Sequence, residues 1–181
     1  MKLASQELST EHKTILLAIK VVEKICTILR ADGEIDVRDA QNIIDFIRIF
    51  ADKFHHGKEE GLYFPAMVEA GFSNEFGPVA VMLSEHVEGR SYVSMMQEAI
   101  SGDVLDKQKY AKGASSYAFL LTSHIDKEDN ILYPMGDGRL TAQQNNELLE
   151  KFKHFEEQVI GKDKYQYYFD LVASLQTKYL S

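Results

Sequence analysis

The segment His55-His56-Gly57-Lys58-Glu59-Glu60-Gly61-Leu62-Tyr63-Phe64-Pro65 recurs without a gap as His124-Ile125-Asp126-Lys127-Glu128-Asp129-Asn130-Ile131-Leu132-Tyr133-Pro134. His, Lys, Glu and Pro return in register, and two of the three prolines in the chain stand at the same offset behind a His-x-x-x-Glu. On an α-helix, residues four apart share a face and lie about 6 Å apart along the axis. Each copy therefore sets an imidazole beside a carboxylate. A weaker echo precedes each copy, where Leu8-Ser9-Thr10-Glu11-His12 matches Leu83-Ser84-Glu85-His86. Each half thus supplies one histidine and then a His-x-x-x-Glu pair, which a fold must bring together from four helices.

Glycine and proline punctuate the sequence as they do in helices joined by short turns. The first predicted helix runs from about Ser9 to Arg30, with Ala31-Asp32-Gly33 as its stop. A second starts at Asp36, a suitable N-cap, and runs through Ile43, Ile44, Ile47, Ala51 and His55 to about Phe64, with Pro65 closing it. Residues 70–77 read as a loop. Pro78 opens a third helix that ends near Gly102 and carries Val79, Met82, His86, Gly89, Val93 and Met96 on one face. The fourth spans about Leu105 to Tyr133, with Tyr117, Leu120, Leu121, His124, Glu128 and Ile131 on its inward stripe, and Pro134 closing it. Two further helices follow, from about Thr141 to Ile160 and through Tyr168, Leu171 and Leu175. No strand pattern competes. The expected fold is all-α: an up-down four-helix bundle over 1–138 with a C-terminal helical extension, 139–181, packed on the same domain.

The 181 residues, 45% hydrophobic and 27% charged, suit one domain with a single core. Against 20 basic residues stand 28 acidic ones, a formal charge of −8 that opposes extended contact with a phosphate backbone, so no nucleic-acid partner is expected. No charged n-region followed by an apolar stretch opens the chain, and no apolar run reaches membrane-spanning length; a soluble, cytoplasmic protein is expected. Cys26, the single cysteine, reads as a buried free thiol, which leaves no thiolate site within one chain.

Because the apolar stripes run through His12, His55, Glu59, His86, His124 and Glu128, these polar side chains should point into the bundle. Unpaired burial there costs several kcal/mol per charge, and a bound cation removes that cost. One ion rarely takes six such ligands, whereas two ions with shared carboxylates use them all. Imidazole nitrogen with carboxylate oxygen suits iron, manganese or zinc, and redox chemistry in such a bundle favours iron. The pattern is not the Glu-x-x-His of ferritin-like sites, nor the His-Glu-x-x-His of zinc proteases.

Over roughly residues 5–135 the chain resembles the hemerythrin family, specifically the bacterial and archaeal members with a His-His-x-x-Glu-Glu signature. The resemblance implies a non-haem di-iron centre of two iron ions held by His12, His55, Glu59, His86, His124 and Glu128, with both glutamates bridging. It implies a protein that binds or senses oxygen, nitric oxide or a related small molecule. The alternative is a di-iron protein that repairs damaged iron–sulfur centres. One departure stands out. The family's oxygen carriers place a second histidine four residues after that of the third helix, where this chain has Arg90; the loss leaves an open position or invites another donor.

Plainer readings apply to the neighbouring residues. His56, paired with Glu60 at the same spacing, competes with His55, but Ile125 at the matching place in the second copy favours His55. Lys58 and Lys127 read as solvated helix-face residues. Tyr63, Tyr117 and Tyr133 read as core aromatics. Glu88 and Arg90 read as outward charges, with Arg90 at a pocket mouth as the other reading, and His154 as a surface residue of the tail.

Overall fold

The computed structural model describes residues 2–181, and all regular structure among them is helical. Helix α1 spans Ala4–Arg30. Helix α2 starts as Val37–Phe46, passes through π-helical turns at Ile47–His56 and Glu59–Tyr63, and ends as Phe64–Glu69. Helix α3 is Pro78–Ile100. Helix α4 runs Lys107–Lys127, then a π-helical turn Glu128–Leu132, then Tyr133–Asp137. Helices α5 (Ala142–Val159) and α6 (Gly161–Leu180) complete the chain. The first four form the bundle, with α4 packed against both α1 and α3, and the last two lie along α1 and α2.

Local chemistry sets most boundaries. Asp36 and Asp106 accept hydrogen bonds from Arg38 N and Lys109 N, both at 2.9 Å, and Thr141 forms a reciprocal capping box with Gln144. Helix α1 begins at Ala4, a full turn before the expected Ser9, because its cap is remote: Asn145 of α5 accepts from Ala4 N at 2.8 Å and donates to the Lys2 carbonyl at 2.9 Å. At its other end the left-handed residue is Asp32 (φ 59°). Between α5 and α6 the chain turns at Gly161, whose φ of 66° suits a residue without Cβ. Helix α5 comes so close to α2 at Gly57 that a Cβ there would sit 2.9 Å from Phe155 Cζ.

The expectation that Pro65 and Pro134 close their helices needs correction, because both helices continue past them. Phe64 N bonds to Glu59 O and Tyr133 N to Glu128 O, each a five-residue step. Such a wide turn leaves the next position without its usual i→i−4 partner, which is where proline, lacking N–H, does least harm. The wide turns also rotate the inward stripe. Ile131, expected inside, is 52% exposed, while Leu132 and Tyr133 are buried; in α2 Tyr63 and Phe64 are buried in the same way.

Two apolar clusters result. One joins Ile15–Leu29 of α1 to Ile43–Phe54, Val93, Tyr110–Leu121 and, from α6, Tyr168, Val172, Leu175 and Tyr179. The other gathers Leu8, Phe64, Met67, Met82, Leu132, Leu148 and Phe152. Each large apolar side chain removed from water contributes about 1.5–3 kcal/mol, and together the clusters enclose a polar layer that has no other shelter.

Candidate metal centre

That polar layer holds His12 from α1, His55, His56 and Glu59 from α2, His86 from α3, and His124 and Glu128 from α4, all buried. They fall into two groups whose ligand atoms lie within 4.8 Å of one another: His12, His55, Glu59 and Glu128 in one, and His56, Glu59, His86 and His124 in the other. Glu59 belongs to both. Its Oε2 lies 3.7 Å from His55 Nε2 and 3.4 Å from His86 Nε2. Glu128 Oε2 spans the halves too, at 3.4 Å from His12 Nε2 and 3.2 Å from His124 Nε2. All six residues singled out from the sequence are thus brought together.

Each of the four repeated histidines gives its Nδ1 to a carboxylate that adjoins another member of the cluster. His12 bonds to Asp129 (2.9 Å), His55 to Glu11 (2.8 Å), His86 to Glu60 (2.8 Å) and His124 to Glu85 (2.9 Å). The two halves repeat this exchange: Glu11 and Glu85 precede His12 and His86, while Glu60 and Asp129 follow Glu59 and Glu128. A carboxylate can only accept, so Nδ1 is the N–H of each ring and Nε2 carries the lone pair. Those lone pairs face each other, His12 Nε2 to His55 Nε2 at 2.9 Å and His86 Nε2 to His124 Nε2 at 3.1 Å. Two bare lone pairs at that distance repel; a cation or a proton between them is required.

The carboxylates make the same demand. Glu59 Oε2 and both oxygens of Glu128 are buried without a hydrogen-bond partner. Protons satisfy part of it: against the burial that would deprotonate them, Asp129 and Glu128 push His12 up to about 9, and Glu128 pushes His124 up to about 10. The facing histidines hold Glu128 well below the ordinary carboxylate range despite its burial. A cation held by deprotonated Nε2 and carboxylate oxygen atoms meets every one of these needs, and carboxylate-held imidazoles are the usual surroundings of a metal.

His56 is the residue that sequence reasoning passed over. Burial and the neighbouring His86 push it down to about 4, so its ring is neutral; Nδ1 faces Asp52 at 3.4 Å and Nε2 is buried without a partner. Of the two consequences expected of Arg90, an open position or another donor, His56 fits the second, since its ligand atom groups with those of Glu59, His86 and His124. The competition between His55 and His56 was false: the π-helical turn lets consecutive residues both face inward. An uninterrupted stretch of helix-breaking signals is absent at 47–56, so only the doubled histidine hinted at it.

Lys58 is not on a solvated face. Its side chain is 0% exposed, paired with Glu11 and set 4.2 Å from the Phe54 ring centre, with Phe152 of α5 on its other side. Lys127 pairs with Glu85 in the matching way but stays 31% exposed. The two lysines thus neutralise the carboxylates that hold His55 and His124. Tyr133 is buried as expected, and it also donates to Glu59 Oε1 at 2.6 Å. His154 is exposed and bonded to Gln158. Glu88 accepts from Tyr92.

A cavity of about 130 Å³ reaches the centre from the side of α2 and α3. Arg90 and Asp52 stand at it together with His56, His86 and Tyr117, and the Tyr117 hydroxyl is buried without a partner.

A family model described as the hemerythrin HHE cation-binding domain matches residues 3–136. The chain belongs to that family. Among curated proteins, this hemerythrin-like chain is 22% identical over 177 residues to uncharacterized proteins of Mycobacterium bovis and of two strains of Mycobacterium tuberculosis, matches that cover 96% of this chain and 69% of each relative. No solved structure gives a significant match. The family binds metal cations, and the buried histidine and glutamate groups described above are where a cation fits. No helix among the described residues is long and apolar enough to cross a membrane.

Proposed function

We propose that this hemerythrin-like chain holds two iron ions and uses them to bind or sense a small molecule such as oxygen or nitric oxide. The observation that carries the reading is the opposition of Nε2 lone pairs in His12–His55 and His86–His124, each ring being fixed from behind by a carboxylate. One such pair suits one cation; two pairs, with Glu59 and Glu128 reaching both, suit two. His12 and His55 would hold one, and His56, His86 and His124 the other, with Glu59 and Glu128 shared. Five imidazoles and two carboxylates fit iron by donor type, and bound iron would supply redox chemistry and open positions for a small ligand.

The protein's own share is preparation. Glu11, Asp129, Glu60 and Glu85 orient the rings, Lys58 and Lys127 neutralise two of those acids, and Tyr133 keeps one oxygen of Glu59 engaged. The cavity beside His56 and His86 gives a small molecule a way in from solvent, and Tyr117 offers an O–H donor within it. Residues 1–138 form the metal-binding bundle in this reading. The extension 139–181 belongs to the same domain, supported by Phe152 over Lys58 and Asn145 at the start of α1.

The test is an optical titration. Chain loaded with Fe(II) without oxygen is titrated with oxygen and, separately, with nitric oxide. New visible or near-ultraviolet absorption at a stoichiometry of one ligand per chain is expected. No change with either gas in chain that holds its iron would refute the ligand assignment.

A further inference from the structure

The two halves of the centre are related by the repeat, yet they differ at three places at once. One half has Asp52, His56 and Arg90; at the corresponding positions the other has Leu121, Ile125 and Leu16. Asp52 and Leu121 precede the paired histidine by three residues, His56 and Ile125 follow it by one, and Arg90 and Leu16 follow the lone histidine by four. The polar trio is also one connected structure. Arg90 donates through Nε to Asp52 Oδ1 at 2.9 Å, and a terminal guanidinium nitrogen lies 2.7 Å from both Asp52 Oδ1 and Glu60 Oε1. Asp52 faces His56 Nδ1 and Glu60 holds His86 Nδ1. In the other half no arginine stands behind Asp129, which instead accepts from the Ser9 hydroxyl.

We propose that Arg90 is a positioning residue for the metal on the cavity side: it fixes Asp52 and Glu60 together, and through them aims His56 and His86 at that metal. This rests on the two-metal reading. Two carboxylates that converge on one point repel each other unless a cation holds them, and a guanidinium is the side chain whose planar fork can serve both in fixed directions. Without it Asp52 and Glu60 separate, His56 loses the partner that sets its ring, and the Nε2 that only this half possesses in excess no longer points into the centre. Arg90 makes no hydrogen bond to His12 or His55, nor to Asp129 and Glu11 behind them. The two metal positions are therefore unequal by construction, and the one that opens to the cavity is the one that depends on a residue at its rim.

The experiment uses full-length chain loaded with Co(II), whose visible spectrum reports coordination and whose release to a chromophoric chelator can be timed. Parent, Arg90→Gln, Arg90→Lys and Arg139→Gln, an exposed arginine beyond the bundle, are compared. In Arg90→Gln one metal per chain should leave about 10-fold faster or more, the scale on which loss of a ligand-orienting group acts, while the second leaves at the parent rate. The cobalt spectrum should change by the contribution of one site. Arg90→Lys, which keeps the charge without the fork, should fall between, and Arg139→Gln should match the parent. Arg90→Gln releasing both metals at parent rates, or both faster alike, would overturn the proposal. A parent chain that takes up fewer than two Co(II) would overturn the reading beneath it.

Discussion

His56 lies flat against His86, ring centres 3.8 Å apart and planes 15° from parallel, although the sequence sets them on different helices and the repeat gives His56 no counterpart. The contact brings a fifth imidazole to the half of the centre that lacks the oxygen carriers' extra histidine. His56→Ile, which installs the residue found at 125, should therefore cost the chain about one of the two metals proposed for it, a larger loss than the about 10–100-fold weakening typical of removing an orienting group. Elemental analysis of iron-loaded variant and parent measures it, with His154→Ala as the comparison that should retain parent content.

Lys58 and Lys127 occupy equivalent positions but should respond differently to removal. Lys58→Met leaves Glu11 buried beside His55 without its cation, and breaking a buried pair costs about 3–5 kcal/mol. Lys127→Met acts at a partly solvated pair, where about 0–1 kcal/mol is usual. Denaturant unfolding of the metal-free variants should separate the two; equal losses would mean that α5 does not seal the Lys58 side.

The two halves were legible in the sequence to different depths. His-x-x-x-Glu at a four-residue spacing is visible because its meaning is local, and the repeat makes it specific. The wide turns at Glu59 and Glu128 were not visible: a five-residue hydrogen bond leaves no compositional mark except the proline behind it, which reads equally well as a stop. From that one ambiguity came the misplacement of Ile131 and the shortened second helix; His56 was set aside on the Ile125 that stands at its place in the second copy. Lys58 was misread for another reason, since what buries it is Phe152, far along the chain, and Asn145 caps α1 from the same remote helix.

The pH dependence of the metal-free protein should carry the imprint of its protonated histidines. His12 and His124, raised to about 9 and about 10 from an ordinary value of 6.5, contribute stability that is fully present below the unfolded value. That contribution is lost as pH rises through the folded values. The melting temperature of metal-free chain should thus fall steadily from about pH 6.5 to about pH 10. Loaded chain, whose Nε2 atoms hold metal in place of protons, should lack this fall and should instead lose metal and stability together on acidification, because protons compete for the same atoms. A melting temperature for metal-free chain that rises across the alkaline range would contradict the charged state of His12 and His124 in the folded metal-free protein.

The most direct test of the account is the number of metals that one chain holds. Chain saturated with iron under reducing, oxygen-free conditions and then freed of loosely bound metal should retain about two ions per chain, because two facing imidazole pairs share two carboxylates that reach both. Retention of one ion, or of none, would contradict it.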